Sequence, residues 1–208
     1  MWIAAWAFAF QIYFDFSGYS DMAIGLGLLL GFRFPSNFLS PYRAHSVTEF
    51  WRRWHVSLST WLRDYLYVPL GGNRRGSVRT YVNLALVMLL GGLWHGAAWT
   101  FVLWGAWHGV FLMLERRAGK AAPYAFLPRP AQVLCTFVVV VFGWAIFRAE
   151  GLGELGAVWG GMLGRHGLGA VPALGTKGTL ALLATAAGLV VAFLLPRSER
   201  LVARFHPL

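Results

Sequence analysis

Two histidines stand where a proton-transferring side chain is both costly and useful. His95 lies in Gly91-Gly92-Leu93-Trp94-His95-Gly96, inside a stretch, 80–114, that holds no Asp, Glu, Lys or Arg. An imidazole in so apolar a run is expensive to bury without a partner or a task. Its flanking glycines let the backbone turn and let other groups approach closely. Neutral histidine titrates near the working pH, so it can take a proton from a hydroxyl and pass it on. The plainer role, a packed interhelical hydrogen-bonder, is the commoner one for such a residue, and position alone leaves both open. The tripeptide recurs as Trp107-His108-Gly109. On one continuous helix the two imidazoles would point about 140° apart, so they share a face only if the chain breaks between them.

His55 belongs to a second polar segment, 46–68. Ser46-Val47-Thr48-Glu49 has the form of a capping box, and Pro69 with Gly71-Gly72 supplies a stop. Between these signals Trp51, Trp54, His55, Leu58, Trp61, Leu62 and Tyr65 recur at helical spacing. The pattern predicts one amphipathic helix with an aromatic face, and Arg52, Arg53, Ser59 and Arg63 mostly off it. Such a helix is too charged to cross lipid alone; it lies at the interface or re-enters the protein interior. On that face His55 is either an interfacial hydrogen-bonder or a partner in chemistry. Asp15 and Asp21 are further candidates, because carboxylates in an apolar span are functional by default. They serve either directly or by pairing with an arginine such as Arg52 or Arg53.

The elements that must carry these residues follow from composition. Of 208 residues 58% are hydrophobic and 12% charged, half the charge of an ordinary soluble domain, where it is about 25%. Residues 1–32 are interrupted only by Asp15 and Asp21 and would reach about 48 Å as a helix, more than a bilayer core. The stretch 80–114 is long enough for two short spans, with Gly91-Gly92 and Gly96 marking where the helix weakens. Residues 131–147 and 178–195 supply two more, with a glycine-rich connection of mixed charge between them. The expected fold is therefore all-α and polytopic, with about five transmembrane spans plus the interfacial or re-entrant helix.

The formal net charge is +10. Its arginines and lysines flank apolar runs, which sets orientation by the positive-inside rule and argues against nucleic acid as a partner. The basic loops and the tail with Arg197, Arg200 and Arg204 are then cytoplasmic. Met1–Phe10 is apolar at once, without the basic stretch that opens a cleavable signal peptide, so a fragment or an internal start is expected. Cys135 is the lone cysteine and excludes a disulfide within the chain. No histidine pair has metal-ligand spacing, and neither a P-loop nor a Gly-x-Ser-x-Gly elbow is present, so no bound metal or cofactor is expected.

Several strings together resemble one family. Gln11-Ile12-Tyr13-Phe14-Asp15-Phe16-Ser17-Gly18-Tyr19-Ser20-Asp21, Phe34-Pro35-Ser36-Asn37-Phe38, Phe50-Trp51-Arg52-Arg53-Trp54-His55-Val56-Ser57-Leu58-Ser59-Thr60-Trp61-Leu62-Arg63-Asp64-Tyr65 and Gly92-Leu93-Trp94-His95-Gly96 are similar to the membrane-bound O-acyltransferase (MBOAT) family. Within it they look most like the bacterial alginate O-acetyltransferase branch. Gly71-Gly72-Asn73-Arg74 and Trp144-Ala145-Ile146-Phe147-Arg148-Ala149 fit that branch too. The resemblance covers roughly 8–150, so 1–208 reads as part of an MBOAT transmembrane domain whose relatives are longer at the N-terminus.

The resemblance implies transfer of an acyl group from a thioester donor, acetyl-CoA or an acyl carrier protein, to a hydroxyl. It maps the family's intramembrane histidine to His95 and its second polar position to His55. Trp94, Asp15, Asp21, Arg52, Arg53 and Asp64 follow as supporting candidates. It implies a multi-pass protein of the bacterial inner membrane that passes acetyl to an exported polysaccharide, with periplasmic acetyltransferase partners and export machinery. Other acceptors (peptidoglycan, teichoic acid, cellulose) keep the same chemistry. A transporter or a truncated, non-catalytic scaffold is the alternative from another class. A transporter would show corresponding broken helices in two halves, and no such symmetry is visible.

Overall fold

The computed structural model describes residues 1–119, 121–165 and 175–196. The basic tail, with Arg197, Arg200 and Arg204, and much of the glycine-rich connection lie outside the described residues. Every regular element among the described residues is helical. The first helix, α1 (Trp2–Leu29), carries apolar residues on every side, interrupted by Gln11, Asp15, Ser17, Ser20 and Asp21. Gly31 ends it at φ 82°: the Phe32 N–H reaches Gly27 O at 2.8 Å and the Gly31 N–H reaches Leu28 O at 3.0 Å, a Schellman closure. A single 3₁₀ turn, Pro41–Arg43, leads to α2 (Val47–Arg53) and α3 (Val56–Trp61), and a π-helical stretch continues to Tyr67. Then follow α4 (Gly76–His95), α5 (Trp99–Arg117), α6 (Arg129–Arg148), α7 (Leu152–Met162) and α8 (Thr176–Leu194).

The helix predicted over 46–68 is a correction. Its start is as expected, with Ser46 Oγ accepting the Glu49 N–H at 3.0 Å. Glu49 reaches back one residue further than a capping box requires, to the His45 N–H at 2.8 Å. The helix then breaks. Trp54 turns extended and His55 adopts the left-handed conformation, φ 45° and ψ 56°. The strand-like loop before it captures the break from both sides. Leu39 donates to Arg53 O at 2.9 Å, while Asn37 receives Val56 N–H on its carbonyl (3.1 Å) and Ser57 N–H on its side chain (3.0 Å). The aromatic residues therefore do not form one face. Trp54 goes into the core, and Trp61 and Tyr65 stay exposed.

Helices α4 and α5 form a hairpin whose turn is Gly96–Ala98. Gly91-Gly92, read as a weak point, is continuous helix. Gly92 and Gly105 instead allow backbone contact: a Cβ on either would come 2.2 Å from a carbonyl oxygen, of Phe101 and Met88 respectively. Small residues at such a crossing are the usual device for close helix packing in a bilayer. Helix α6 packs on α5 and on α1, and α8 on α1. The core between them is aromatic. Tyr42 donates to Ala9 O and accepts from Trp144 Nε1 at 3.2 Å, and Phe50, Trp54 and Phe137 surround it. Arg43 binds two carbonyls at the C-terminal end of α8, Ala192 O at 3.1 Å and that of Leu195 just beyond the helix. Of the about five spans expected, α4 and α6 meet length and apolarity together among the described residues; Gly178–Leu194 is apolar but shorter.

Gly105→Ala is expected to force α4 and α5 apart and destabilise the protein by about 1–3 kcal/mol. Thermal unfolding of the full-length protein in detergent tests this, and an unchanged midpoint would contradict the backbone contact.

Candidate functional site

His95 occupies the last turn of α4, half-buried. Its Nδ1 lies 2.7 Å from Gly91 O. A carbonyl only accepts, so this contact places the ring proton on Nδ1 and leaves Nε2 bare. The tautomer is thus the one that can receive a proton through Nε2. Three aromatic rings hold the imidazole, Trp94 at 4.9 Å, Trp104 at 5.0 Å and Phe147 at 5.5 Å, each edge to face.

His55 is the residue at which the broken helix turns. It packs on Phe16 of α1 at 4.7 Å. Burial pushes its imidazole down to about 4, and the nearby His95 pushes it the same way. At neutral pH His55 is therefore uncharged, with one N–H to give and one nitrogen to receive. Each histidine lines a cavity. The first, about 260 Å³, is bounded by His95, Trp51, Trp104 and aliphatic side chains of α4. The second, about 600 Å³, is bounded by His55, Ser57, Trp61, Tyr65 and Trp94. Leu58, Leu62 and Gly91 belong to both and form the wall between them. A third cavity, about 260 Å³, adjoins the first across Tyr67, Leu84 and Leu112 and carries Arg52, Arg116, Thr48 and Asn73.

The supporting candidates divide. Trp94 touches His95 and lines the cavity of His55. Arg52 faces the third cavity. Arg53 is committed to Glu49, which also holds His45. Asp64 pairs with Arg63 at 2.7 Å on the surface, and the hydrogen bond from that guanidinium holds its carboxyl below the usual range. Asp15 is exposed on α1, and Asp21 borders a separate cavity with Ser17, Ser40 and Tyr13. Neither aspartate lines a cavity of the two histidines.

Two residues that position the site escaped sequence reasoning. Glu115 of α5 is wholly buried, and its carboxylate accepts the N–H groups of Val47 (2.6 Å) and Thr48 (2.8 Å). It caps α2 from another helix. The available signal was its place as the first charge after the uncharged stretch. Asn37 caps α3 in the same remote way, and no local pattern marks it.

The site thus combines a cluster of aromatic rings, a half-buried histidine with one bare ring nitrogen and a second histidine across a shared wall. Residues 1–150 match the MBOAT, membrane-bound O-acyltransferase family, and the chain belongs to that family; it is a membrane protein. It is 60% identical over 162 residues to "Probable alginate O-acetylase AlgI" of Pseudomonas fluorescens, an alignment covering 77% of this chain and 32% of that protein. It is 46% identical to "Peptidoglycan O-acetyltransferase" of Helicobacter pylori over 80% of this chain and 32% of that one. It is 29% identical to "Teichoic acid D-alanyltransferase" of Bacillus subtilis, over 70% and 40%. The chain spans about a third of the length of the alginate O-acetylases it matches.

Glu115→Leu leaves the buried Val47 N–H and the part-buried Thr48 N–H unpaired, at about 1–3 kcal/mol for the buried one, while Glu115→Gln keeps one acceptor oxygen. The expected order of thermal midpoints in the full-length protein is Glu, Gln, Leu. Equal midpoints would show that the carboxylate is not what holds α2.

Proposed function

We propose that this chain carries the catalytic histidines of an O-acetyltransferase of the bacterial inner membrane, acting on hydroxyls of an exported, alginate-like polysaccharide. The observation that carries the reading is 60% identity to alginate O-acetylases across the segment holding both histidines. In this reading the chain crosses the bilayer about five times, with basic loops and C-terminus in the cytoplasm. Its partners are periplasmic acetyltransferase proteins and the export machinery.

His95 Nε2 takes the acceptor hydroxyl proton as that oxygen attacks the thioester carbonyl. The tetrahedral intermediate collapses with loss of the thiolate, which recovers the proton from His95. His55, neutral and across the wall, orients and supports the charge that develops. The donor is a thioester of coenzyme A or of an acyl carrier protein, both of which carry a phosphopantetheine arm. From Trp104 to Arg116 along α5 is about 18 Å at 1.5 Å per residue, long enough for an extended arm. Arg52 and Arg116 then hold the phosphate at the mouth while the apolar first cavity holds the arm. Asn73 sits there because buried Asn83 binds Gly72 O at 2.9 Å and fixes its loop. The 46% relative makes peptidoglycan the second acceptor class.

In a strain lacking the native gene, the full-length gene should restore polysaccharide acetylation and its His95→Ala form should lose it by about 10²–10⁴-fold, with membrane levels matched by blot. Equal restoration by both would sink the assignment of the base; no restoration by either would turn attention to other envelope polymers. Arg52→Gln with Arg116→Gln should raise the donor KM about tenfold or more at unchanged kcat, as loss of charge-assisted contacts does. An unchanged KM would remove both arginines from the donor path.

A further inference from the structure

His108 has no part in the chemistry above, yet it is wholly buried and neither ring nitrogen meets a hydrogen-bond partner among the described residues. The indole nitrogens of Trp51 and Trp104 are in the same condition. The three rings touch one another: His108 lies 5.2 Å from Trp51 and 5.3 Å from Trp104, and the two indoles are 5.6 Å apart. Phe50 stacks on the imidazole at 6.1 Å and an interplanar angle of 10°. Gly143 of α6 closes another side so tightly that a Cβ there would stand 2.7 Å from His108 Nε2.

Unpaired buried polar groups are costly, and phenylalanine or leucine would fill this space without that cost. Their clustering is therefore informative. An indole nitrogen only donates, and a neutral imidazole gives one donor and one acceptor. The cluster thus holds three donors against one acceptor. What completes it is an oxygen with two lone pairs. The nitrogens are enclosed, so that oxygen does not come from a ligand lying in the open cavity. A buried water with two to four polar neighbours meets the requirement.

We propose that His108 is a positioning residue: with the indole N–H groups of Trp51 and Trp104 it holds one enclosed water, and the linked cluster fixes the Trp104 ring. His95 rests on that ring at 5.0 Å. Trp51 and Trp104 also wall the cavity that His95 lines. The direction in which Nε2 faces the acceptor is thereby set from behind. The kinetic consequence rests on the acetyl-transfer reading; the water does not.

The deciding measurement is a cryo-electron-microscopy map of the full-length protein in nanodiscs, at a resolution that shows enclosed waters. Density within hydrogen-bond distance of at least two of the three side chains is expected. A map that resolves internal waters elsewhere but none here overturns the proposal. In the same preparation His108→Phe should lower kcat about tenfold at unchanged KM, the effect of one lost hydrogen bond acting on the transition state. His108→Asn, which keeps a donor and an acceptor, should retain most of kcat. Adding Trp104→Phe to His108→Phe should change kcat by less than about twofold further, because coupled groups are not additive. Wild-type kcat in His108→Phe, or losses that multiply in the double variant, overturns the positioning role. If His108→Phe does not fold, the map and His108→Asn still decide. Absence of acetyl transfer by the unaltered protein would count against the acetyl-transfer reading, while the map judges the water independently.

Discussion

The contact between the Glu115 carboxylate and the first N–H groups of α2 is the constraint on which the arrangement depends. Burying a carboxylate without a cation is costly unless other groups take up its charge. Here two backbone N–H groups at a helix start do so, with the axial dipole of α2 adding in the same sense. The consequence is geometric. Helix α2 leads directly into His55, and α5 carries Trp104 against His95. One buried carboxylate therefore ties the segment bearing one histidine to the hairpin bearing the other. The glycine contacts between α4 and α5 complete the tie, because they admit no slack between the helix of His95 and the helix of Glu115.

The second constraint is the conformation of His55. A non-glycine residue at positive φ costs on the order of 1–3 kcal/mol and persists only when its surroundings over-determine it. Those surroundings are visible. Trp54 on one side is locked among Phe38, Phe50 and Trp144. Asn37 on the other holds the start of α3. Straightening the segment would pull Trp54 from the core and strip α3 of its cap. The strain at His55 is thus sustained by core packing and hydrogen bonds that lie outside it.

Much of this was legible in the chain. The helix start at Ser46, the uncharged hairpin and the all-helical class follow from spacing and composition, whereas the roles expected of His95 and His55 came from the resemblance to the family. The break at His55 was not, because Trp-His contains no helix breaker and the determinants sit at positions 37 and 54. Glu115 was illegible for a related reason: a carboxylate beside Arg116 and Arg117 reads as a solvated helix end, and only the fold shows it turned inward. Gly91-Gly92 misled because glycine signals both helix weakness and close approach, and the neighbouring helix decides between them. Asp15 and Asp21 had the strongest prior of any polar residues in the first helix, yet α1 presents them away from the two histidine cavities.

The repeated Trp-His-Gly tripeptide shows how topology changes the meaning of spacing. On one helix His95 and His108 would face about 140° apart. The turn at Gly96–Ala98 folds the second copy back along the first, and both imidazoles come to bear on Trp104, at 5.0 and 5.3 Å. One is half-buried beside a cavity with a defined tautomer; the other is wholly enclosed. The same residue type in the same local string therefore has two environments, separated by one indole. An accessible imidazole can exchange a proton with a ligand. An enclosed one has no such access. Trp104 therefore packs against both an accessible imidazole and an enclosed one.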